Sequence, residues 1–225
     1  LLCLAEFAIF RDGVMAVEPK DVLLLWPNVI CYVRAALGAF ALGLAWWPDP
    51  PLTNATVILY VFAMTLDFLD GYVARRLHQQ TLFGAALDVV VDVAQRGGMW
   101  LLALNLPGLL FPLLELIVFA CTHACSSESW KEGCFSEAPP LIARIMSNGF
   151  KTPMGVLTVA GLHFLPLYLW LIRIVSALRF PAFYLLGILL CLGRLLGLAA
   201  EVWVVKRHVA ELLRQDAAAL TSRQH

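Results

Sequence analysis

Charge is what this 225-residue chain has least of: Asp, Glu, Lys and Arg make up 14% of it, against 61% hydrophobic residues. A soluble domain of this length needs a larger charged surface, so the balance excludes an ordinary soluble fold and points to a lipid bilayer as the main partner. The two signs of charge cancel and no long basic or acidic run is present, which removes nucleic acid from the expected partners. Cysteine is sparse too. The six, Cys3, Cys31, Cys121, Cys125, Cys134 and Cys191, are scattered, mostly inside apolar runs, and contain no CxxC pair. They imply no disulfide framework, and such thiols behave as small hydrophobes. Cys121, His123 and Cys125, with Cys134 beyond, are near one another, but residues two apart leave a helix on different faces, which disfavours a zinc site. The apolar start LLCLAEFAIF lacks the cleavage chemistry of a signal peptide. No internal repeat is visible.

What the chain has instead is long apolar runs. A helical span needs about 20 mainly apolar residues, and six stretches come close: 28–47, 52–74, 83–105, 108–126, 152–172 and 181–205. The pattern predicts an all-α polytopic membrane protein with six transmembrane helices. It divides into a segment 1–26 with a short interfacial helix at KDVLLLWPN, a transmembrane domain 27–205 and a cytoplasmic tail 206–225. WWPDPPLT and NLPG are the short turns expected between antiparallel spans. The longer link Ser126–Lys151 contains Pro139 and Pro140, which rule out one continuous helix through it. With six spans, Lys20, Arg75, Arg76, Lys131, Arg144, Lys151, Lys206 and Arg207 fall on one side, which is then cytoplasmic; Arg173 and Arg179 fall on the other. Trp46 and Trp47 read as an interfacial belt.

Ionisable groups in hydrocarbon are expensive, about 2.5–3.5 kcal/mol each on insertion scales, so those that persist normally face a polar cavity. Here they are concentrated in LDFLDGYVARRLHQQTLFGAALDVVVD, with Asp67 and Asp70 near the end of the second span and Asp88 and Asp92 in the first part of the third. Spacings of three and four put each pair on one helix face. A short polar link, Arg75–Leu82, makes the two helices a hairpin that can bring the faces together. Four carboxylates in one pocket need a counter-charge, and oxygen-only ligands at this density suit Mg²⁺ or Mn²⁺, two ions being a familiar clamp for a diphosphate. Gly71, Ala74 and Gly84 lie at helical spacing from the acids. Each reads singly as helix packing, but together with the acids they leave backbone bare for a bulky ligand. His123 reads as a hydrogen-bonded interior residue. Arg194 and Glu201, seven apart on one face of the last span, either pair or line the cavity. A cation transporter using these carboxylates is a competing reading, but acids gathered at one end of a hairpin leave no continuous polar path.

The string Asp67-x2-Asp70-Gly71-x2-Ala74-Arg75-x8-Gly84-x3-Asp88-x3-Asp92 resembles the complete signature of the CDP-alcohol phosphotransferases. Within that family the likeness extends to the eukaryotic phosphatidylinositol synthases from about Pro27 through Arg96, with WPNVICYVR and LHQQTLFGAALD similar to stretches of theirs. The resemblance implies a six-helix membrane fold, often dimeric, so a homodimer is a possible assembly. It also implies an enzyme moving a phosphatidyl group from CDP-diacylglycerol to an alcohol, myo-inositol, with release of CMP. Asp67, Asp70 and Asp88 would ligate the metal ions. Asp92 would be the general base and would also contact metal. Gly71, Ala74 and Gly84 would line the nucleotide site. Arg75 would either serve the nucleotide phosphates or anchor the helix end at lipid headgroups. Arg144 and Lys151 would correspond to basic residues near the transfer site. An endoplasmic reticulum membrane, with the active site near its cytoplasmic face, is implied in the same way. Two positions depart from the pattern: Val93 stands where the synthases carry an arginine, with Arg96 a turn further on, and Phe119 stands where they carry an acid four residues before His123. These departures motivate the alternatives of a different acceptor alcohol, or of a catalytically weakened relative acting as a lipid- or metal-binding regulator.

Overall fold

The computed structural model describes residues 18–47, 51–123 and 138–222, and every regular element among them is helical. In chain order the helices are α1 (Pro19–Leu23), α2 (Trp26–Trp46), α3 (Pro51–Arg76), α4 (Leu82–Leu104), α5 (Leu110–His123), α6 (Pro140–Met146), α7 (Pro153–Ile174) and α8 (Pro181–Ser222). Single turns of 3₁₀ helix fill Leu106–Leu109, Ser147–Phe150 and Ser176–Leu178. Among the described residues four helices suffice by length and composition to cross a membrane: Trp26–Trp46, Leu52–Arg76, Pro153–Ile174 and Pro181–Thr221. The apolar stretch Leu106–Thr122 is shorter. Large apolar side chains point outward along these helices, among them Phe40, Phe62, Phe68, Leu110, Leu185 and Leu195. That is the surface a helix presents to lipid and not to water.

Local chemistry sets the helix ends. Pro51, Pro140, Pro153 and Pro181 each open a helix, where a missing N–H costs nothing. Thr152 caps α7, its Oγ1 accepting from the Gly155 N–H at 3.1 Å. Thr81 Oγ1 accepts from Gly84 N–H at 3.0 Å and caps α4 in the same way. At the other ends arginines take orphan carbonyls: Arg173 Nη1 donates to Ala103 O at 3.1 Å, and Arg179 donates to Ile172 O and Arg173 O at 3.3 Å each. The interfacial helix expected over 20–28 is instead the five-residue α1, and α2 already begins at Trp26. The last helix does not stop at 205 but continues to Ser222. Cys125, Cys134, Lys131 and most of the link after α5 lie outside the described residues.

The chain packs as two compact units. The first is built on α1, α2 as far as Leu44, α3, and α4 as far as Val91. The second takes in the end of α2 from Ala45 and, from Asp92 on, the remainder of α4 with α5 to α8. The second unit's core gathers Trp100, Leu165, Tyr168 and Leu190 from three helices, with Phe111 stacked on Trp100 at 3.9 Å between ring centroids. There α7 and α8 approach backbone to backbone. A Cβ on Gly161 would sit 2.4 Å from Arg194 N, and one on Gly193 would sit 2.1 Å from Leu157 O, so only glycine fits at either position.

Candidate functional site

In the first unit the acids of two helices meet on one cation. Asp67 and Asp70 lie a turn apart on α3, Asp88 lies on α4, and all three converge on Arg34 of α2, whose side chain is wholly buried. Arg34 Nη1 donates to Asp67 Oδ1 and, at 3.0 Å, to Asp70 Oδ2. Its Nη2 donates to Asp88 Oδ1 at 2.6 Å and to the Asp88 carbonyl at 3.1 Å. The planar guanidinium makes this possible, because its fork of donors serves several oxygens at once where a lysine offers a point charge.

Beside this cluster opens a cleft of about 200 Å³. Its walls bring together Asp70, Asp88, Gly71, Ala74, Arg75 and Gly84, all expected on sequence grounds, with Asn28 and Cys31 added from α2. A Cβ on Gly84 would lie 2.8 Å from Asn28 Oδ1 of α2, so the glycine leaves room for that side chain. Asn28 is itself fixed by donating from Nδ2 to Val22 O at 2.6 Å. Arg75 is exposed at the end of α3, with its guanidinium folded back over Gly71.

The donor set suits a hard divalent cation. Three carboxylates face one guanidinium, and carboxylate oxygen is the ligand that Mg²⁺ and Mn²⁺ prefer. Ligand atoms of Asp70, Asp88 and Cys31 come within 4.8 Å of one another, close enough to share an ion. Gln79 Oε1, buried in the cleft wall, meets no hydrogen-bond donor among the described residues.

Asp92 belongs to the second unit and has a different setting. Arg96, one turn along α4, donates from Nη1 to Asp92 Oδ2 at 2.7 Å. Arg96 in turn is gripped by Glu115 of α5, whose Oε2 accepts from Nε at 2.9 Å and from Nη2 at 2.7 Å. His163 of α7 completes the arrangement. Its Nδ1 lies 2.9 Å from Val159 O and so carries the proton, which leaves Nε2 to accept from Arg96 Nη1 at 3.0 Å. Val93 is buried. Arg96 lies three residues after Val93 and Glu115 four residues before Phe119, so a residue of the missing charge stands about one helical turn from each departing position. Arg194 and Glu201 do pair, Nη1 donating to Oε2 at 2.9 Å, with the guanidinium over Phe111.

Arg144 and Lys151 are exposed, at the end of α6 and just before α7. Between them Asn148, Gly149 and Phe150 all have positive φ, and Thr152 Oγ1 donates to Arg144 O at 3.1 Å, which ties the turn. Sequence reasoning passed over Arg34, Glu115 and His163. Arg34 stood in the WPNVICYVR stretch with no role assigned, although a charge in an apolar span was itself the signal. Glu115 offered the same signal in α5.

Residues 24–129 match the family model described as CDP-alcohol phosphatidyltransferase. Among curated relatives, CDP-diacylglycerol–inositol 3-phosphatidyltransferase 1 of Arabidopsis thaliana is 39% identical over 75 residues, covering 33% of this chain and 31% of the relative. CDP-diacylglycerol–inositol 3-phosphatidyltransferase of Schizosaccharomyces pombe is 41% identical over 78 residues, with the same coverage of 33% and 31%. CDP-diacylglycerol–glycerol-3-phosphate 3-phosphatidyltransferase of Pseudomonas fluorescens is 35% identical over 105 residues, 42% of this chain and 52% of the relative. The chain therefore spans about a third to a half of the length of these relatives. No solved structure matches.

Proposed function

We propose, from the match of residues 24–129 to the CDP-alcohol phosphatidyltransferase model, that the chain moves a phosphatidyl group from CDP-diacylglycerol to a small polar alcohol, myo-inositol, releasing CMP. The observation that carries this reading is the convergence of Asp67, Asp70 and Asp88 on one point beside a cleft walled by Gly71, Ala74 and Gly84.

In this reading Asp67, Asp70 and Asp88 would hold the metal, and Asp92 is proposed as a fourth carboxylate acting with them. When bound, the divalent ions, Mg²⁺ or Mn²⁺ and two in number, neutralise the diphosphate and the charge that develops on departing CMP. The bare backbone at Gly71, Ala74 and Gly84 admits the nucleotide, and Arg75 reaches its phosphates. Asp92 takes the proton from the acceptor hydroxyl as that oxygen attacks the β-phosphorus. Arg96, anchored by Glu115 and His163, holds the Asp92 carboxylate in place. Arg144 and Lys151 supply positive charge for the acceptor side of the transfer.

The same reading gives α4 and α5 the two remaining spans, making six across the domain 27–205, with 1–26 as an N-terminal segment and 206–225 as a tail on the cytoplasmic side. At 23 residues α4 is about 35 Å long, enough for the roughly 30 Å hydrocarbon core. Arg173 and Arg179, the two basic residues at odds with this orientation, serve as caps for helix carbonyls, which accounts for their place on the far side. An endoplasmic reticulum membrane, a cleft open to the cytoplasm and a homodimer complete the proposal.

A second reading, an acceptor other than inositol, draws on Val93 and Phe119 and on the relative that uses glycerol 3-phosphate. One experiment decides between them. Membranes containing the chain receive CDP-diacylglycerol, Mn²⁺ or Mg²⁺, and labelled inositol, glycerol 3-phosphate, serine or glycerol in parallel. Incorporation of inositol above the others supports the first reading, and preference for another alcohol replaces it with the second. No incorporation of any alcohol, where a known synthase is active, leaves the weakened relative.

A further inference from the structure

We infer that Arg34 is the resident counter-cation of the acid cluster, a positioning residue that holds Asp67, Asp70 and Asp88 together before a metal arrives and shares their oxygens with a divalent cation once one binds. The inference deepens the function proposed above and rests on its metal site.

Three observations carry it. Arg34 has no exposed surface, and a guanidinium buried in an apolar span persists only where anions offset it. The anions come from 33, 36 and 54 residues away and from two different helices, so no local helix pairing explains the contact. Finally, the oxygens that Arg34 engages, Asp67 Oδ1, Asp70 Oδ2 and Asp88 Oδ1, belong to the same carboxylates that would ligate an ion. A guanidinium and a divalent cation on those groups oppose one another by simple repulsion, yet each relieves the mutual repulsion of the acids.

Without Arg34 the metal-free cluster loses its counter-charge and the folded state is destabilised, whereas the metal-bound cluster is relieved by the ion. Metal therefore binds more tightly to the folded chain and stabilises it by a larger amount. Were Arg34 only a packing element, its removal would lower stability equally with and without metal.

The test uses the full chain in detergent and reads thermal unfolding while Mn²⁺ is titrated against a chelator-treated sample, for wild type, Arg34→Met and Arg34→Lys. The expected result is a Tm rise with Mn²⁺ in wild type. In Arg34→Met the metal-free Tm is lower, the Mn²⁺-induced rise is larger, and its midpoint lies at a Mn²⁺ concentration at least tenfold below that of wild type. Arg34→Lys, which keeps a charge but loses the fork, falls between them and carries the test alone where Arg34→Met does not accumulate. A midpoint equal to or above that of wild type in the variant overturns the role given to Arg34 while leaving the metal site standing. Absence of any Mn²⁺ response in folded wild type overturns the metal site itself, and the inference with it.

Discussion

Asp92 carries the chemistry in this account, and it does so under restraint. Its Oδ2 lies 2.7 Å from Arg96, and Arg96 is held from the other side by two bonds to Glu115. General-base catalysis contributes typically 10²–10⁴-fold, so Asp92→Asn is expected to lower CMP release by about that factor while circular dichroism of the purified chain stays unchanged. Glu115→Gln removes a charge that fixes Arg96. The expected loss in kcat is about tenfold, the effect of roughly 1.4 kcal/mol in positioning, with little change in the KM for CDP-diacylglycerol. An unaltered kcat would mean that Arg96 holds Asp92 without help from α5. The four aspartates were legible in the sequence because their spacings of three and four are properties of single helices. Arg34 and Glu115 stood out only as charges in apolar spans, and their pairings and that of His163 were not legible, because the partners lie 19 to 67 residues away and only packing brings them together.

At the scale of elements, glycine separates two jobs. The nearest atoms to a Cβ at Gly71 would be the end of the Arg75 side chain, at 3.4 Å. Gly71→Ala should therefore fold normally, and a raised KM for CDP-diacylglycerol in steady-state assays would report the ligand's approach to bare backbone. At Gly161 the added carbon would lie 2.4–2.6 Å from the α8 backbone, which cannot turn aside as a side chain can. Gly161→Ala is expected to cost about 1–3 kcal/mol in an unfolding titration, with metal response retained in the fraction that stays folded. The helices themselves were readable from hydropathy to within a few residues at most ends. The exception is α8, expected to end at 205 and observed to run to Ser222. Past the apolar run its residues are chiefly Ala, Leu, Glu, Arg and Gln, which sustain a helix by propensity and leave no hydropathy signal. At 42 residues it is about 63 Å long, twice the hydrocarbon thickness.

For the whole molecule the membrane setting was evident from a mean hydropathy of +0.80, while the number of crossings turns on α4, the helix that carries Asp88 and Asp92. Its acids and Arg96 dilute the apolar signal of a helix that is otherwise long enough to span. If α4 crosses, cysteines placed at Gln80 and Leu106 react with a membrane-impermeant thiol reagent from opposite sides of sealed vesicles. Labelling of both from one side would leave α4 within a single leaflet and remove the six-span arrangement. Both probe positions are exposed, so reactivity reports sidedness and not burial.

If the acid cluster drives attack at the β-phosphorus of CDP-diacylglycerol, that phosphorus can be followed from donor to product. With the β-position labelled and the purified chain supplied with Mn²⁺ and inositol, label is expected in the new phospholipid, with unlabelled CMP in equal amount. That transfer should be abolished by a chelator and reduced about a hundredfold or more in Asp92→Asn. Label leaving with the nucleotide, or transfer at the wild-type rate in Asp92→Asn, would contradict it.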